Sequence, residues 1–213
     1  MRALSELQRD ALTELANIGV GRAAAGLSRM VAEPIHLAVP AVDVLSRAEV
    51  IRLLERREHA ASLVAVGQGF RGPFSGRALL IFPEARSLEL VRAVVGEEPS
   101  LEEVADLEQE ALAEVGNVIL NGFLGTIANL LGRPLNTALP CVARGSGGAI
   151  LGLPSAREME PDAPVLFLQV DFTIRSRDIR GYIAVLMNFQ SLQAMEALVE
   201  EFVLRLAGPG GAA

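Results

Sequence analysis

The stretch DALTELAN at residues 10–17 returns as EALAEVGN at residues 110–117. Around this pair, residues 10–40 align with residues 110–140 without a gap, and each copy ends in proline. A later strand pattern also repeats, at a slightly larger offset. Repeats of this length indicate a duplicated fold rather than a short-period solenoid. We therefore predict that the chain contains two related halves.

Apolar residues recur every three or four positions around both copies, which predicts one long amphipathic helix in each half. Ser5 with Gln8, and Ser100 with Glu103, have the spacing of capping boxes at the helix starts. Each half is then expected to hold an extended segment, a β-hairpin and a closing helix. These elements are predicted at residues 35–46, 61–67, 72–82 and 84–95, and again at residues 135–143, 165–174, 179–187 and 191–206.

One further helix is predicted at residues 47–57, and a glycine-rich loop at residues 144–152 takes its place in the second half. This order of elements predicts an α/β fold of the α+β kind, with one continuous, mainly antiparallel or mixed sheet covered by helices. The two long motif-bearing helices are expected on one face of the sheet, related by a pseudo-twofold axis. The predicted domain is residues 1–208, made of repeats at about residues 5–95 and 100–206, with a tail at residues 209–213.

The composition excludes several classes of protein. All 19 basic residues are arginine, which excludes a phosphate-loop lysine and a Schiff-base lysine. A net charge of -7 argues against nucleic-acid binding. One cysteine and two distant histidines cannot assemble a structural zinc site, and we expect no metal or cofactor of the protein's own. The charged N-terminus and the lack of a long uninterrupted apolar run predict a cytoplasmic protein without membrane insertion.

Each long helix carries a polar stripe, because residues three and four apart share one helix face. The first stripe is Asp10, Glu14 and Asn17, and the second stripe is Glu110, Glu114 and Asn117, continued by Asn121. A polar face alone is typical of any surface helix, but the repeated Asn is a poor helix former. A carboxylate beside a carboxamide can bind a cation on a partner while the amide positions a water molecule. We therefore expect both Glu/Asn pairs to be exposed to solvent and free of structural partners.

Pro40 and Pro140 complete the pattern, since 22 residues separate each from the Asn of its stripe. With these prolines, the two stripes resemble the signature of the CheC-type chemotaxis phosphatases, the family of CheC, CheX and FliY. The segment NIGVG at residues 17–21 is also similar to the family's first helix, and the resemblance covers roughly residues 5–206. Glu110 stands where the family usually has Asp or Ser. We therefore expect the first stripe to be at least as active as the second.

The resemblance implies an aspartyl-phosphate protein phosphatase that dephosphorylates a phosphorylated CheY-type response regulator in chemotaxis. In each stripe, the Glu would pair with the partner's lysine and the Asn would orient a water in line with the phosphoryl group. The implied catalytic residues are Glu14, Asn17, Glu114 and Asn117. The implied supporting residues are Asp10, Pro40, Glu110 and Pro140. The partner would supply Mg²⁺, so that this chain contributes positioning and charge stabilisation.

A second class of function stays open, a noncatalytic interaction module that regulates the deamidase CheD or forms a FliY-like component of the flagellar switch. For the phosphatase, we expect an apolar or small-residue patch beside the stripes, on which the regulator docks with modest affinity. Cys141 is predicted to be a buried small hydrophobe. His36 and His59 are predicted to be packing or surface residues, and the glycines of residues 19–21 to allow close helix packing.

Overall fold

A computed structural model of the protein describes residues 4–31, 33–57, 62–95, 101–152, 163–174 and 177–207. The helices are α1 (Glu6–Val31), α2 (Arg47–Arg57), α3 (Glu84–Val95), α4 (Leu101–Leu130), α5 (Gly147–Leu151) and α6 (Phe189–Ala207). The strands are β1 (Ile35–Ala38), β2 (Val42–Ser46), β3 (Leu63–Arg71), β4 (Gly76–Pro83), β5 (Asn136–Thr137), β6 (Cys141–Gly145), β7 (Pro164–Ile174) and β8 (Arg177–Met187). The predicted long helices, hairpins and closing helices are confirmed.

All described strands join one antiparallel sheet, in the order β1-β7-β8-β4-β3-β5. Strand β2 also pairs with β7, and β6 also pairs with β3. Each half therefore places its first two strands on the hairpin of the other half. If β1–β4 are exchanged with β5–β8, the same strand order results, read from the opposite edge of the sheet. A duplicated unit predicts this symmetry. Superposition of the two halves by a pseudo-twofold rotation stays a prediction.

Alternate residues of the central strands face opposite layers, as the two-residue period of a strand requires. On one face, residues such as Leu80, Leu168 and Ile183 pack with buried residues of α1, α3, α4 and α6. On the other face, residues such as Leu79 and Tyr182 pack against α2 and α5. Helices on both faces explain why these strands are apolar at nearly every position.

Helices α1 and α4 pack against each other at small residues. A methyl group on Gly19 would lie 3.0 Å from the Phe123 backbone, and one on Gly122 would lie 2.9 Å from the Ala23 side chain. Because side chains at these positions would push the helices apart, the expectation of close packing is confirmed at Gly19. Gly21 is exposed and has nothing within 4 Å of the place a methyl would take. The crossing therefore places both polar stripes on one closely packed pair of helices.

The stretch Glu108–Leu130 of α4 is long and apolar enough to cross a membrane, with a mean hydropathy of 1.4. In this fold, 56% of its most apolar window is buried inside the protein. Core helices of soluble proteins have the same composition. Packing against α1 and the sheet therefore accounts for the apolar character of α4.

Two predictions are wrong. The glycine-rich segment expected to be a loop contains α5, whose first turn is capped because the Ala149 N–H donates to Ser146 Oγ at 3.2 Å. Ile150 and Leu151 of α5 are buried, and their packing against α2 outweighs the low helix propensity of the glycines. Cys141 is exposed on β6 rather than buried.

His36 was predicted to be either a packing or a surface residue, and it is exposed on β1. Several other predictions fall outside the described residues. These are the capping serine Ser100, residue His59, part of the β7–β8 turn and the tail at residues 209–213.

Candidate active site

The first stripe follows a capping box at the start of α1. The Ser5 N–H donates to Gln8 Oε1 at 3.0 Å, and the Gln8 N–H donates to Ser5 Oγ at 3.2 Å. From this start, the helical period turns Asp10 and Glu14 to solvent. Neither carboxylate forms an ion pair or a hydrogen bond with the part of the chain that the structure describes. The predicted exposure of Glu14 is therefore confirmed.

Asn17 is half-buried, and its carboxamide bonds to the backbone of Val39. Asn17 Nδ2 donates to the Val39 carbonyl at 2.9 Å, and the Val39 N–H donates to Asn17 Oδ1 at 2.8 Å. The same Nδ2 donates to the Thr13 carbonyl at 3.0 Å. Because Val39 is only 2% exposed, its backbone groups need these partners. The prediction that Asn17 has no structural partner is wrong, since Asn17 ties α1 to the connection between β1 and β2.

The second stripe lies on the middle of α4. Glu110 and Glu114 are exposed and form no ion pair within the described ranges. Asn117 is half-buried, and its Oδ1 accepts a hydrogen bond from Asn121 Nδ2 at 2.7 Å. Its own Nδ2 has no hydrogen-bond partner among the described residues. Asn117 therefore keeps a donor group for a ligand, whereas the donor group of Asn17 is occupied.

Gln68, a residue outside both predicted stripes, links Asn121 to the sheet. It lies on β3, is 1% exposed, and its Nε2 donates to Asn121 Oδ1 at 3.1 Å and to the Ala138 carbonyl at 2.8 Å. Thr137 Oγ1 donates to the same Asn121 Oδ1 at 3.2 Å. A polar residue inside the apolar run of Leu63–Arg71 was the available signal. Its contact with α4 depends on strand pairing, which the sequence pattern did not show.

The residues before the two motif prolines have opposite environments. Val39 is buried, but Leu139 is 90% exposed. Pro40 is exposed, and Pro140 is half-buried. Ala138 is held by its N–H bond to the Gly69 carbonyl at 2.8 Å and by Gln68. In the second half, the segment before Pro140 is therefore bonded to β3 and makes no direct hydrogen bond to Asn117. Leu139 is left in solvent.

A surface groove of about 680 Å³ adjoins this segment. Thr137, Ala138 and Leu139 line it, together with Arg77 and Cys141 from the neighbouring strands. Arg77 Nη2 donates to Cys141 Sγ at 2.6 Å. The exposed Leu139 and the small Ala138 agree with the predicted apolar or small-residue patch beside the second stripe.

The described ranges contain no group of three or more His, Cys, Asp or Glu residues that could hold a metal ion. The carboxylates of Asp10, Glu14, Glu110 and Glu114 are exposed, and none of them forms an ion pair with an arginine among the described residues. Such carboxylates favour a cationic group on a partner.

This chain is similar to chemotaxis proteins of several organisms. The family model described as "Chemotaxis phosphatase CheX" matches residues 64–158. The CheY-P phosphatase CheC of Bacillus subtilis is 21% identical over 197 residues, which are 90% of this chain and 93% of that protein. The putative CheY-P phosphatase CheC1 of Halobacterium salinarum is 25% identical over 149 residues, 69% of this chain and 74% of that protein.

The crystal structure of Thermotoga maritima FliY has the same fold, with a TM-score of 0.76 and 19% identity over 93% of this chain and 98% of that one. The region that the family model matches, residues 64–158, contains Gln68 and the whole second stripe. The first stripe lies outside it.

Proposed function

Since this chain belongs to the CheC-type family of chemotaxis phosphatases, we propose that it dephosphorylates a phosphorylated CheY-type response regulator. The second stripe carries the proposal. On α4, an exposed carboxylate at Glu114 lies one helical turn before Asn117, whose Nδ2 has no hydrogen-bond partner among the described residues. This pair can reach a partner's active site without rearrangement of the fold.

In the proposed reaction, the phosphoryl group is on an aspartate of the regulator, beside the regulator's Mg²⁺ and lysine. Glu114 pairs with that lysine and fixes the docking geometry. The Asn117 carboxamide holds a water in line with the phosphorus. The water oxygen bonds to phosphorus, the bond to the aspartate oxygen breaks, and inorganic phosphate and a free carboxylate are released. This chain supplies positioning, which dominates the catalysis of phosphoryl transfer.

Glu110 and Pro140 support this site in the proposal, Glu110 as a further carboxylate on the docking face and Pro140 as a fixed point of the segment that carries Leu139. In the first half, Asp10, Glu14 and Pro40 present a similar exposed surface. Asn17 could orient water only after its two bonds to Val39 open. We therefore assign catalysis to the second stripe first, and docking or a weaker activity to the first stripe.

The location and the partners follow from the same proposal. A response regulator is a cytoplasmic partner, which places this protein in the cytoplasm. The net charge of -7 disfavours nucleic acid as a partner. CheD binding stays a proposal derived from the family.

A noncatalytic interaction module is the second candidate. The observation that favours it is the commitment of Asn17 to the Val39 backbone, because it shows that a motif Asn can have a structural use. The fold shared with Thermotoga maritima FliY is compatible with this alternative as well.

The two candidates are separated by measuring how fast the phosphorylated regulator loses its phosphoryl group with and without this protein. The wild type is expected to accelerate the loss, and Asn117→Ala is expected to lower the acceleration about 100-fold, as loss of a positioning group does. Asn129→Ala is the matched control, since Asn129 is an exposed Asn three turns further along α4. If the wild type accelerates the dephosphorylation of no regulator, the interaction module replaces the phosphatase. Full activity in Asn117→Ala would reject the second stripe as the site.

A further inference from the structure

Three carboxamides form a chain of hydrogen bonds from the core of the sheet to the second stripe. The chain runs from Gln68 on β3 through Asn121 to Asn117, and both links are direct side-chain contacts, at 3.1 Å and 2.7 Å. Gln68 is 1% exposed, and the other two residues are half-buried. The chain therefore joins a buried anchor to the residue assigned to water positioning.

The backbone sets the direction of this chain. The Ala138 carbonyl can only accept, so Gln68 must turn its Nε2 toward it. The second hydrogen of the same Nε2 then points to Asn121, which must present Oδ1. Asn121 Nδ2 is left to donate to Asn117 Oδ1. Each carboxamide has one donor end and one acceptor end, so a single fixed carbonyl orients all three.

We propose that Gln68 and Asn121 are positioning residues that hold the Asn117 carboxamide with Oδ1 toward the protein and Nδ2 toward the bound regulator. This inference rests on the proposed function for its catalytic consequence, but not for its structural content. A carboxamide free to rotate by 180° would present either its oxygen or its nitrogen to the partner. The hydrogen bonds from Gln68 and Asn121 remove this alternative, so Asn117 presents its Nδ2 to the regulator before binding.

A purely stabilising role explains Gln68 poorly. Its Oε1 is buried and has no hydrogen-bond partner, and a buried unpaired polar atom destabilises a fold. The corresponding hairpin strand β7 uses only apolar residues on the face toward the long helices, namely Leu166, Leu168, Val170 and Phe172. The first half also has Gly21 where the second has Asn121. The first half therefore folds without such a chain, and its Asn17 carboxamide is bonded to the backbone instead.

Two variants test the chain by different chemistry. Gln68→Leu removes the anchor and copies the apolar character of β7. Asn121→Asp keeps the shape of the side chain but offers only acceptors at neutral pH, so Asn117 should turn over and donate its Nδ2 inward. Asn129→Ala again serves as the control on the same helix.

The first readout is the side-chain amide signal of Asn117 in ¹⁵N-labelled protein, which needs no substrate. We expect this signal to shift or broaden in both variants and to stay unchanged in Asn129→Ala. The second readout is the rate of dephosphorylation, where kcat should fall about tenfold with KM changed less than twofold, because a displaced group costs rate rather than binding. The Tm of Gln68→Leu should stay equal to that of the wild type or rise.

If the Asn117 amide signal moves in neither variant, the proposal that Gln68 and Asn121 orient the Asn117 carboxamide is wrong, whatever the phosphatase activity. If the signal moves but kcat stays unchanged, the orientation of Asn117 does not affect the rate of dephosphorylation. If the wild type has no phosphatase activity, the proposed function is wrong, but the Asn117 signal still tests whether Gln68 and Asn121 orient the carboxamide. The two proposals can therefore fail separately. A lower Tm in Gln68→Leu with unchanged signals would show that Gln68 serves stability alone.

Discussion

Asn17 and Asn117 occupy corresponding places on α1 and α4, but their carboxamides have different partners. Asn17 bonds to the N–H and the carbonyl of buried Val39. Asn117 accepts one bond from Asn121. Two neighbours make the difference, since position 21 is glycine where position 121 is asparagine, and Gln68 has no polar counterpart on β7. Two stretches with the same motif can thus keep the same Glu and Asn residues while the Asn of one stretch holds the fold together.

The largest expected contrast is in catalysis. Asn117→Ala should lower kcat about 100-fold, whereas Asn17→Ala should lower it less than about threefold, since only Asn117 holds its donor ready for a partner. The measurement is single-turnover loss of the phosphoryl group at saturating protein. The motif alone ranked the first stripe at least equal to the second, and the side-chain contacts reverse that expectation. A larger fall in a folded Asn17→Ala protein would restore the ranking from the motif.

Stability should show the opposite contrast. Asn17→Ala leaves the N–H and the carbonyl of Val39 without partners in a buried place, so the free energy of unfolding should fall by about 2 kcal/mol. This loss follows from the partners of Asn17, which the sequence alone predicted to be absent. Asn117→Ala should change the same free energy by less than about 0.5 kcal/mol, because Ala is the better helix former.

Urea denaturation of the two single variants measures this contrast. Equal losses would show that the Val39 bonds contribute no more than the Asn121 bond. A larger loss in Asn117→Ala would contradict the structural assignment of both residues.

A smaller effect is expected at the residues before the prolines. Leu139→Ala removes an exposed side chain beside the second stripe, and we expect KM for the regulator to rise about fivefold, as the loss of apolar contact area implies. The Tm should not change, since Leu139 is in solvent. Steady-state kinetics with varied regulator concentration test this expectation. An unchanged KM would remove Leu139 from the docking surface.

The sequence predicted the elements well where apolar periodicity determined them. The bounds of α2 and α3 match the predicted ranges to the residue. The sequence could not predict the carboxamide partners, because these depend on contacts between residues far apart in the chain. Gln68 meets Asn121 only once β3 has paired with the segment at residues 136–145 and α4 has packed over it.

The helix α5 was missed for a different reason. Two glycines at its start indicated a loop, and the capping serine before them carried the better signal. Ser46 and Ser146 lie at corresponding positions, and each caps the helix that follows it, α2 and α5. A capping serine followed by buried residues outweighed local propensity.

The smallest effect on stability is expected at the capping residues of α2 and α5. Glu49 is exposed and completes a capping box in α2, where the Ser46 N–H and hydroxyl each donate to its carboxylate at 2.7 Å. The corresponding residue in α5 is Ala149, which has no such group. The bond from the Ser46 backbone N–H, and after it the Ser46 hydroxyl, lower the pKa of Glu49 below its ordinary value.

A lowered pKa means that the folded protein holds the carboxylate form more strongly than the unfolded chain does. The resulting stability is fully present above the unfolded pKa of about 4.3 and is lost as the pH falls through the lower folded value. Glu49→Ala, which copies the second half, should therefore lower the Tm slightly at pH 7, and the difference from the wild type should shrink as the pH falls below 4.3. Thermal unfolding of both proteins across this range measures it, with Glu55→Ala as the control at an exposed glutamate of the same helix. A Tm difference that stays constant with pH would assign the effect of Glu49 to helix propensity rather than to its charged hydrogen bonds.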